Sequence, residues 1–327
     1  MANVLLSSAQ EQIQDAVIRF LARTAPLMAD AGEHPRVSVS LWREIAAMGW
    51  FGMAAPEELG GAGLGIEDEL VLMRQCGRFL LTPSVMATML AVHVAASAGE
   101  VPLALALMGG DRRVSLALPG VSPDQVYAID FVHGDLVLRW GQERCLALLD
   151  PAPGAAIAAS LDESAPLTLV RGETLLESAA RETDRASVLC AAQLTGIAEA
   201  ALEATVGYAK TREQFGKAIG SFQAVKHKCA DMAVRAEASW ALSFFAGRAL
   251  KSGSCEAGLL SSSAKFVAAE AAHLNADEMI QIHGGIGYQF ECVAHRFMKR
   301  AHVLDQTGGA RRFQALRVLA EKSSLGA

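Results

Sequence analysis

From residue 184 to residue 321, apolar side chains recur at helical spacing almost without a break, and this run limits the fold more than any other feature. Val188, Leu189, Ala192, Leu194, Ile197, Ala198, Ala201 and Leu202 predict a wide apolar face on a helix ending near Lys210. A second long helix is expected over about 222–251, with Val225, Cys229, Met232, Ala233, Ala236, Trp240, Leu242 and Phe244 inward and a stop near Gly253. A third is expected over about 256–283, rich in Ala and Ser that permit close helix approach. Two more are expected over about 291–304 and 310–321. Thr183 or Asp184 is read as the N-cap of the first helix, and Ser221 as that of the second. Long helices joined by short connections predict an antiparallel bundle.

The first half of the chain has a different texture. Ile13, Ala16, Val17, Phe20 and Leu21 predict a helix over 7 to about 27, and Leu41, Trp42, Ile45 and Ala46 one over 38–48. A Gly- and Pro-rich passage, 49–64, reads as a loop with tight turns. It lacks the Lys-Ser/Thr pair of a phosphate loop. Helices are expected over 66–80 and 84–98. The most apolar stretch, 85–107, is broken by His93, Ser97, Glu100 and Pro102, so it reads as a buried helix and not a membrane span. From about Asp111, short apolar or alternating runs at 114–118, 127–132, 136–140 and 145–149 predict a small antiparallel unit ending near 173–177. The expected organisation is mainly α: an N-terminal helical domain over 1–110, a short middle β-domain over 111–180 and a C-terminal four-helix-type bundle over 181–327.

Hydrophobic residues make up 52% of the chain, enough for a core and a subunit interface. A net charge of −6 argues against a general nucleic-acid binder. The six cysteines form no CxxC pair, which fits reduced thiols in a cytoplasm and no metal site. Glu11 and Asp15 interrupt the first twenty residues, which therefore do not read as a secretory signal.

Two glycine-punctuated passages carry candidate chemistry. The first runs from Tyr208 through Arg212, Phe215, Gly216 and Gly220 to Gln223. Arg212 offers a charged fork suited to phosphate, Phe215 a flat face, and Gln223 an amide. On residue types alone, the commoner reading is a helical hairpin with a solvated Arg212 and a core Phe215. The second passage is Gln281-Ile282-His283-Gly284-Gly285-Ile286-Gly287-Tyr288, which alone reads as a helix C-cap. His283 has no partner at metal-ligand spacing, which leaves it a structural or cofactor-edge role.

Together the two passages resemble the YAxxRxQFGxxIxxFQ and Q(V/I)(H/F)GGxGY signatures of the acyl-CoA dehydrogenase family. The passage 49–64 resembles that family's connector between N-terminal helices. The resemblance implies FAD. It also implies that Arg212, Gln214, Phe215, Gln223, Gln281, Ile282, Gly284 and Gly285 contact the adenosine-diphosphate half of an FAD bound mainly by a neighbouring subunit. Other parts depart from the family. The flavin-packing segment resembling (K/R)xWIT(N/S)G is missing: the only tryptophan of the middle region, Trp140, lies in the unmatched text 138–142. The family base is a Glu, and its two known positions fall here on Gly308 and Arg185, neither of which can accept a proton. No catalytic residue is therefore assigned.

This asymmetry implies the base-less sister chain of an α2β2 acyl-CoA dehydrogenase. A homologous catalytic subunit would be the partner and would hold most of the acyl-CoA. Electron-transfer flavoprotein would be the acceptor, and β-oxidation of a fatty acid, sterol or other bulky side chain the setting. Two alternatives stay open. One is a homomeric dehydrogenase with a displaced base among Glu182, Asp184, Glu291 and Asp305. The other is a helical scaffold that has lost FAD.

Overall fold

A computed structural model describes residues 6–25, 27, 37–120, 125–141, 145–178 and 180–325. Gln142 lies outside them. The chain opens with α1 (Ser8–Thr24), α2 (Val39–Ala47), α3 (Ile66–Arg78), α4 (Ser84–Ser97) and α5 (Val101–Met108). Ser7 and Gln10 form a reciprocal capping box at the start of α1, and Ser38 Oγ accepts from Leu41 N at 3.1 Å at the start of α2. The stretch 85–107 is not one helix. Gly99 takes a positive φ of 77° and Glu100 starts a new direction, with Pro102 in the first turn of α5.

Six strands follow: β1 (Val114–Pro119), β2 (Gln125–Ile129), β3 (Leu136–Trp140), β4 (Leu146–Pro151), β5 (Ala156–Ala158) and β6 (Leu167–Glu177). Their order is β2-β1-β3-β4-β6-β5, and β2 also pairs with β6, so the sheet closes on itself. Ala117, Val126, Ala128, Val137, Ala147, Leu149 and Val170 pack together as a small cluster within it. The expected antiparallel unit holds for every pairing but one: β1 and β3 run parallel, with Val114 opposite Leu136. β2 takes one flank of β1, and the next strand then crosses to the free flank, which reverses its sense relative to a hairpin.

The remainder is α6 (Ala180–Thr211), the two-residue strands β7 (Glu213–Gln214) and β8 (Lys217–Ala218), α7 (Gln223–Ser252), α8 (Ala257–His283), α9 (Ala294–Gln306) and α10 (Arg311–Leu325). α6 begins earlier than expected. Thr183 and Asp184 therefore sit buried inside it and not at its start, and Asp184 pairs with Arg317 at 3.0 Å. Phe222, not Ser221, is the N-cap of α7, because 219–221 form a 3₁₀ turn that holds Ser221 outside the helix. Ala233, expected inward, is exposed.

Buried polar groups fix how the long helices cross. Asn275 of α8 donates to Ala198 O of α6 at 2.9 Å and to Met232 O of α7 at 3.0 Å. Arg74 of α3 forks onto Glu199 of α6 at 2.6–3.0 Å and lies 4.3 Å over the Trp240 ring of α7. Arg300 of α9, 1% exposed, donates to Asp162, Ser164 and the carbonyls of Leu80 and Leu81. It ties the bundle to the strands and to the turn after α3. Among the described residues no helix is long and apolar enough to cross a membrane.

Candidate functional site

The two glycine-punctuated passages meet in space. The C-terminal ends of α6 and α8 lie side by side and wall a cleft of about 520 Å³. Its lining includes Arg212, Gln214, Ile282, Gly284 and Gly285, all expected from sequence, His283, expected in a structural or cofactor-edge role, and Tyr208 and Gln289, to which the sequence assigned no role of their own. Phe215, Gln223 and Gln281 are exposed nearby and are not among the lining residues.

Local geometry explains the shape. β7 and β8 pair as a hairpin whose loop is Phe215–Gly216, both at positive φ, +55° and +79°. Two such residues make the inverted turn that matches strand twist. Glycine takes that conformation freely, whereas Phe215 holds it at a cost of about 1–2 kcal/mol. Phe215 is also 91% exposed, so it is a protruding ring and not a core residue. Arg212 is pinned through its backbone: its N donates to Tyr208 O and its O accepts from Ile219 N, both at 2.8 Å. Its guanidinium has no protein partner among the described residues. Across the cleft, α8 ends at Gly284, whose φ of 63° admits no ordinary side chain without strain. A Cβ added at Gly284 or Gly285 would meet nothing within 4 Å. Space is thus left open in front of both backbones, opposite a free Arg. This fits a diphosphate: a charged fork on one side, bare backbone on the other.

The other position that sequence comparison singles out is closed. Gly308 takes φ +61° against the indole of Trp140, and a Cβ at Gly308 would lie only 2.0 Å from the indole carbon Cε2. Trp140 is 1% exposed, and its Nε1 has no partner. Lys265, fully buried, donates to Thr307 O, to Gly309 O at 2.7 Å and to Asp305 O at 3.5 Å, with its Nζ 4.8 Å from the Trp140 ring centroid. Gln314 Nε2 donates to Gly308 O and Gly309 O, each at 3.0 Å. Burial pushes the Lys265 ammonium down to about 8, and the nearby Asp305 carboxylate opposes that fall. Asp305 faces His273 at 3.4 Å and accepts from Arg311 N. Burial raises its pKa, but His273 and Lys265 outweigh that and hold it below the ordinary carboxylate value.

Arg185, at the second base position, is held by Glu69, which also meets His93 Nε2 at 2.8 Å. Of the displaced-base candidates, Asp184 is engaged by Arg317 and Glu182 by Ser97, while Glu291 is exposed on the turn before α9. Among the described residues no group of three or more His, Cys, Asp or Glu is arranged for a metal.

Comparison with known proteins agrees with this architecture. Residues 7–104 match the acyl-CoA dehydrogenase N-terminal domain and residues 176–322 the C-terminal domain. Acyl-CoA dehydrogenase IpdE2 of Mycobacterium tuberculosis is 34% identical over 279 residues, covering 80% of each chain. Acyl-CoA dehydrogenase FadE34 of the same organism is 37% identical over 284 residues, covering 80% of this chain but only 39% of FadE34. The chain therefore spans well under half the length of that relative. A solved variant of the Tcur3481-Tcur3483 steroid ACAD superposes with a TM-score of 0.82 at 26% identity, covering 97% of this chain and 98% of that one. The chain belongs to the acyl-CoA dehydrogenase family.

Proposed function

We propose that this chain is one subunit of a heteromeric, FAD-dependent acyl-CoA dehydrogenase, and that it completes the cofactor site of a homologous catalytic chain without supplying the base. The observation that carries this reading is the Gly308 corner. Where the family places its Glu there is no side chain, and Trp140 occupies the space one would need. Arg185 at the other position is a cation already bound to Glu69. The desaturation removes a proton from Cα of a CoA thioester, so a carboxylate must come from elsewhere. FAD, when bound, supplies the hydride acceptor.

This chain's own part is at the cleft. Arg212 neutralises the diphosphate, and the bare backbone of Gly284 and Gly285 lets it approach. Around that cleft Phe215 and Tyr288 stand 91% and 82% exposed. Two bare aromatic rings beside an open cleft support a partner surface there. The similarity to a steroid ACAD whose designation joins two names supports both a paired assembly and a bulky, ring-bearing acyl-CoA. Electron-transfer flavoprotein is the acceptor in this reading.

The test is acyl-CoA turnover by this chain alone, by a homologous dehydrogenase chain alone, and by the two co-purified. Activity is expected only in the pair. It should vanish when the partner's catalytic Glu is replaced, and Arg212→Ala should empty the pair of FAD. Turnover by this chain alone contradicts the proposal and returns attention to Glu182, Asp184, Glu291 and Asp305.

A further inference from the structure

The start of α6 carries charges of the wrong sign for its place. The first turn of a helix is its positive end and favours acids. Here it holds Arg181, which is exposed and has no partner among the described residues, and Arg185 follows one turn on. The acid of that turn, Glu182, is met by Ser97 Oγ at 3.4 Å and makes no ion pair with Arg181. Arg181 and Arg185 wall a cavity of about 280 Å³ with Lys251, from the last turn of α7, and the apolar side chains of Leu64, Ile66 and Leu250. No Asp or Glu is among its lining residues. Arg185 is backed by Glu69, and Lys251 Nζ lies 3.2 Å from Glu67. Three cations are thus gathered against two carboxylates, and the one left over is Arg181. Gly65 lets the chain entering α3 come close: a Cβ there would lie 2.7 Å from a Glu67 oxygen and 3.3 Å from Lys251 Nζ.

The uncompensated charge suits an oxyanion. Guanidinium forks match the paired oxygens of a carboxylate or phosphate, and the ammonium adds a point charge. The cavity is larger than such a group alone, and the rest of its wall is apolar. It is also remote from the cofactor cleft. Arg212 lies at the other end of α6, about 45 Å away at 1.5 Å per residue. We propose that this cavity binds a small amphiphilic oxyanion. A carboxylate or phosphate head sits against Arg181, Arg185 and Lys251, and a short hydrocarbon body against Leu64, Ile66 and Leu250. The proposal does not depend on the cofactor reading above.

Titration calorimetry on the full chain tests it with hexanoate, hexyl phosphate, inorganic phosphate and 1-hexanol. Hexanoate or hexyl phosphate, whichever head fits better, should bind about 10-fold or more tighter than 1-hexanol, the low end for a hydrogen bond to a charged group. Inorganic phosphate should bind more weakly than hexyl phosphate, because it leaves the apolar wall uncovered. Arg181→Gln should weaken the tighter hexyl ligand about 10-fold, and Arg181→Lys should keep part of that affinity. Arg181 has no partner to lose, so both variants should melt with the wild type. Arg19→Gln removes an exposed charge from α1 and should leave the affinities unchanged. The proposal is wrong if 1-hexanol binds as well as both charged hexyl ligands, or if inorganic phosphate matches the tighter of them. It is equally wrong if Arg181→Gln binds that ligand as wild type does, or if Arg19→Gln weakens it as much, which would reduce the effect to net charge.

Discussion

The cleft at Arg212 and the corner at Gly308 are built from the same bundle and use the same residue type, a glycine at positive φ, to opposite ends. At Gly284 the missing side chain leaves empty space, an unpaired guanidinium stands opposite, and a strained phenylalanine points into solvent nearby. At Gly308 the missing side chain makes room for an indole, and a buried ammonium and a buried amide satisfy the carbonyls around it. Polar groups at the first site await something from outside. Those at the second are mostly paired already. The same backbone device is therefore no guide to function until one asks what fills the volume in front of it.

The sharpest way to break this contrast is to restore the acid. Gly308→Glu must force a side chain into Trp140 and hold it at φ +61°. Overpacking and left-handed strain together predict a loss of about 2–5 kcal/mol in denaturant unfolding, with no gain of acyl-CoA turnover. Tolerance of that change would mean that the corner is not closed.

Lys265→Met comes next. It keeps the volume but removes the donor to Thr307 O and Gly309 O, and should cost about 2 kcal/mol, because buried acceptors lose a charged partner. An equivalent change in the cleft, Arg212→Met, should leave the stability of the chain alone within about 0.5 kcal/mol, since the guanidinium has no partner to lose.

Acid titration separates the regions further. The carboxyl of Asp305 has a folded pKa below its unfolded one, held there by His273 and Lys265 against burial. Its stabilisation is present above the unfolded value and is lost as pH falls through the folded one. Asp305→Asn should flatten that acid limb of the stability curve.

The smallest effect has the opposite sign. Phe215→Gly relieves the strained φ and removes an exposed ring. The chain alone should gain up to about 1 kcal/mol in thermal or denaturant unfolding. The pair should instead dissociate more readily in sedimentation or titration calorimetry. A chain destabilised by this change would mean that the ring is packed on its own protomer.

Much of the bundle was legible because helical periodicity is local: the apolar face of α6 and the stop at Gly253 are written in consecutive residues. Thr183 and Asp184 misled because polar residues near a helix start are usually caps, and nothing local tells that Asp184 meets Arg317 from α10. The break at Gly99 was hidden inside an apolar run. The parallel β1–β3 pairing depends on which flank β2 takes, which no strand encodes by itself. At the cleft, Arg212 and the Gly284–Gly285 pair stand out in the sequence through their motifs. Tyr208 and His283 stand in those motifs too, but their stack joins residues far apart in sequence. Trp140 was seen only as a failed match. Its role in filling the Gly308 corner is a tertiary fact, set by its contacts with Gly308 and Lys265 of the C-terminal bundle.

The most direct test of the account is to count flavin by visible absorbance, first in the protein purified alone and then in the pair co-purified with a homologous dehydrogenase chain. The account predicts a colourless chain alone and one FAD per pair. A lone chain that is yellow, carries one FAD and is bleached by an acyl-CoA would contradict it, because the chain would then supply a base of its own despite the closed Gly308 corner.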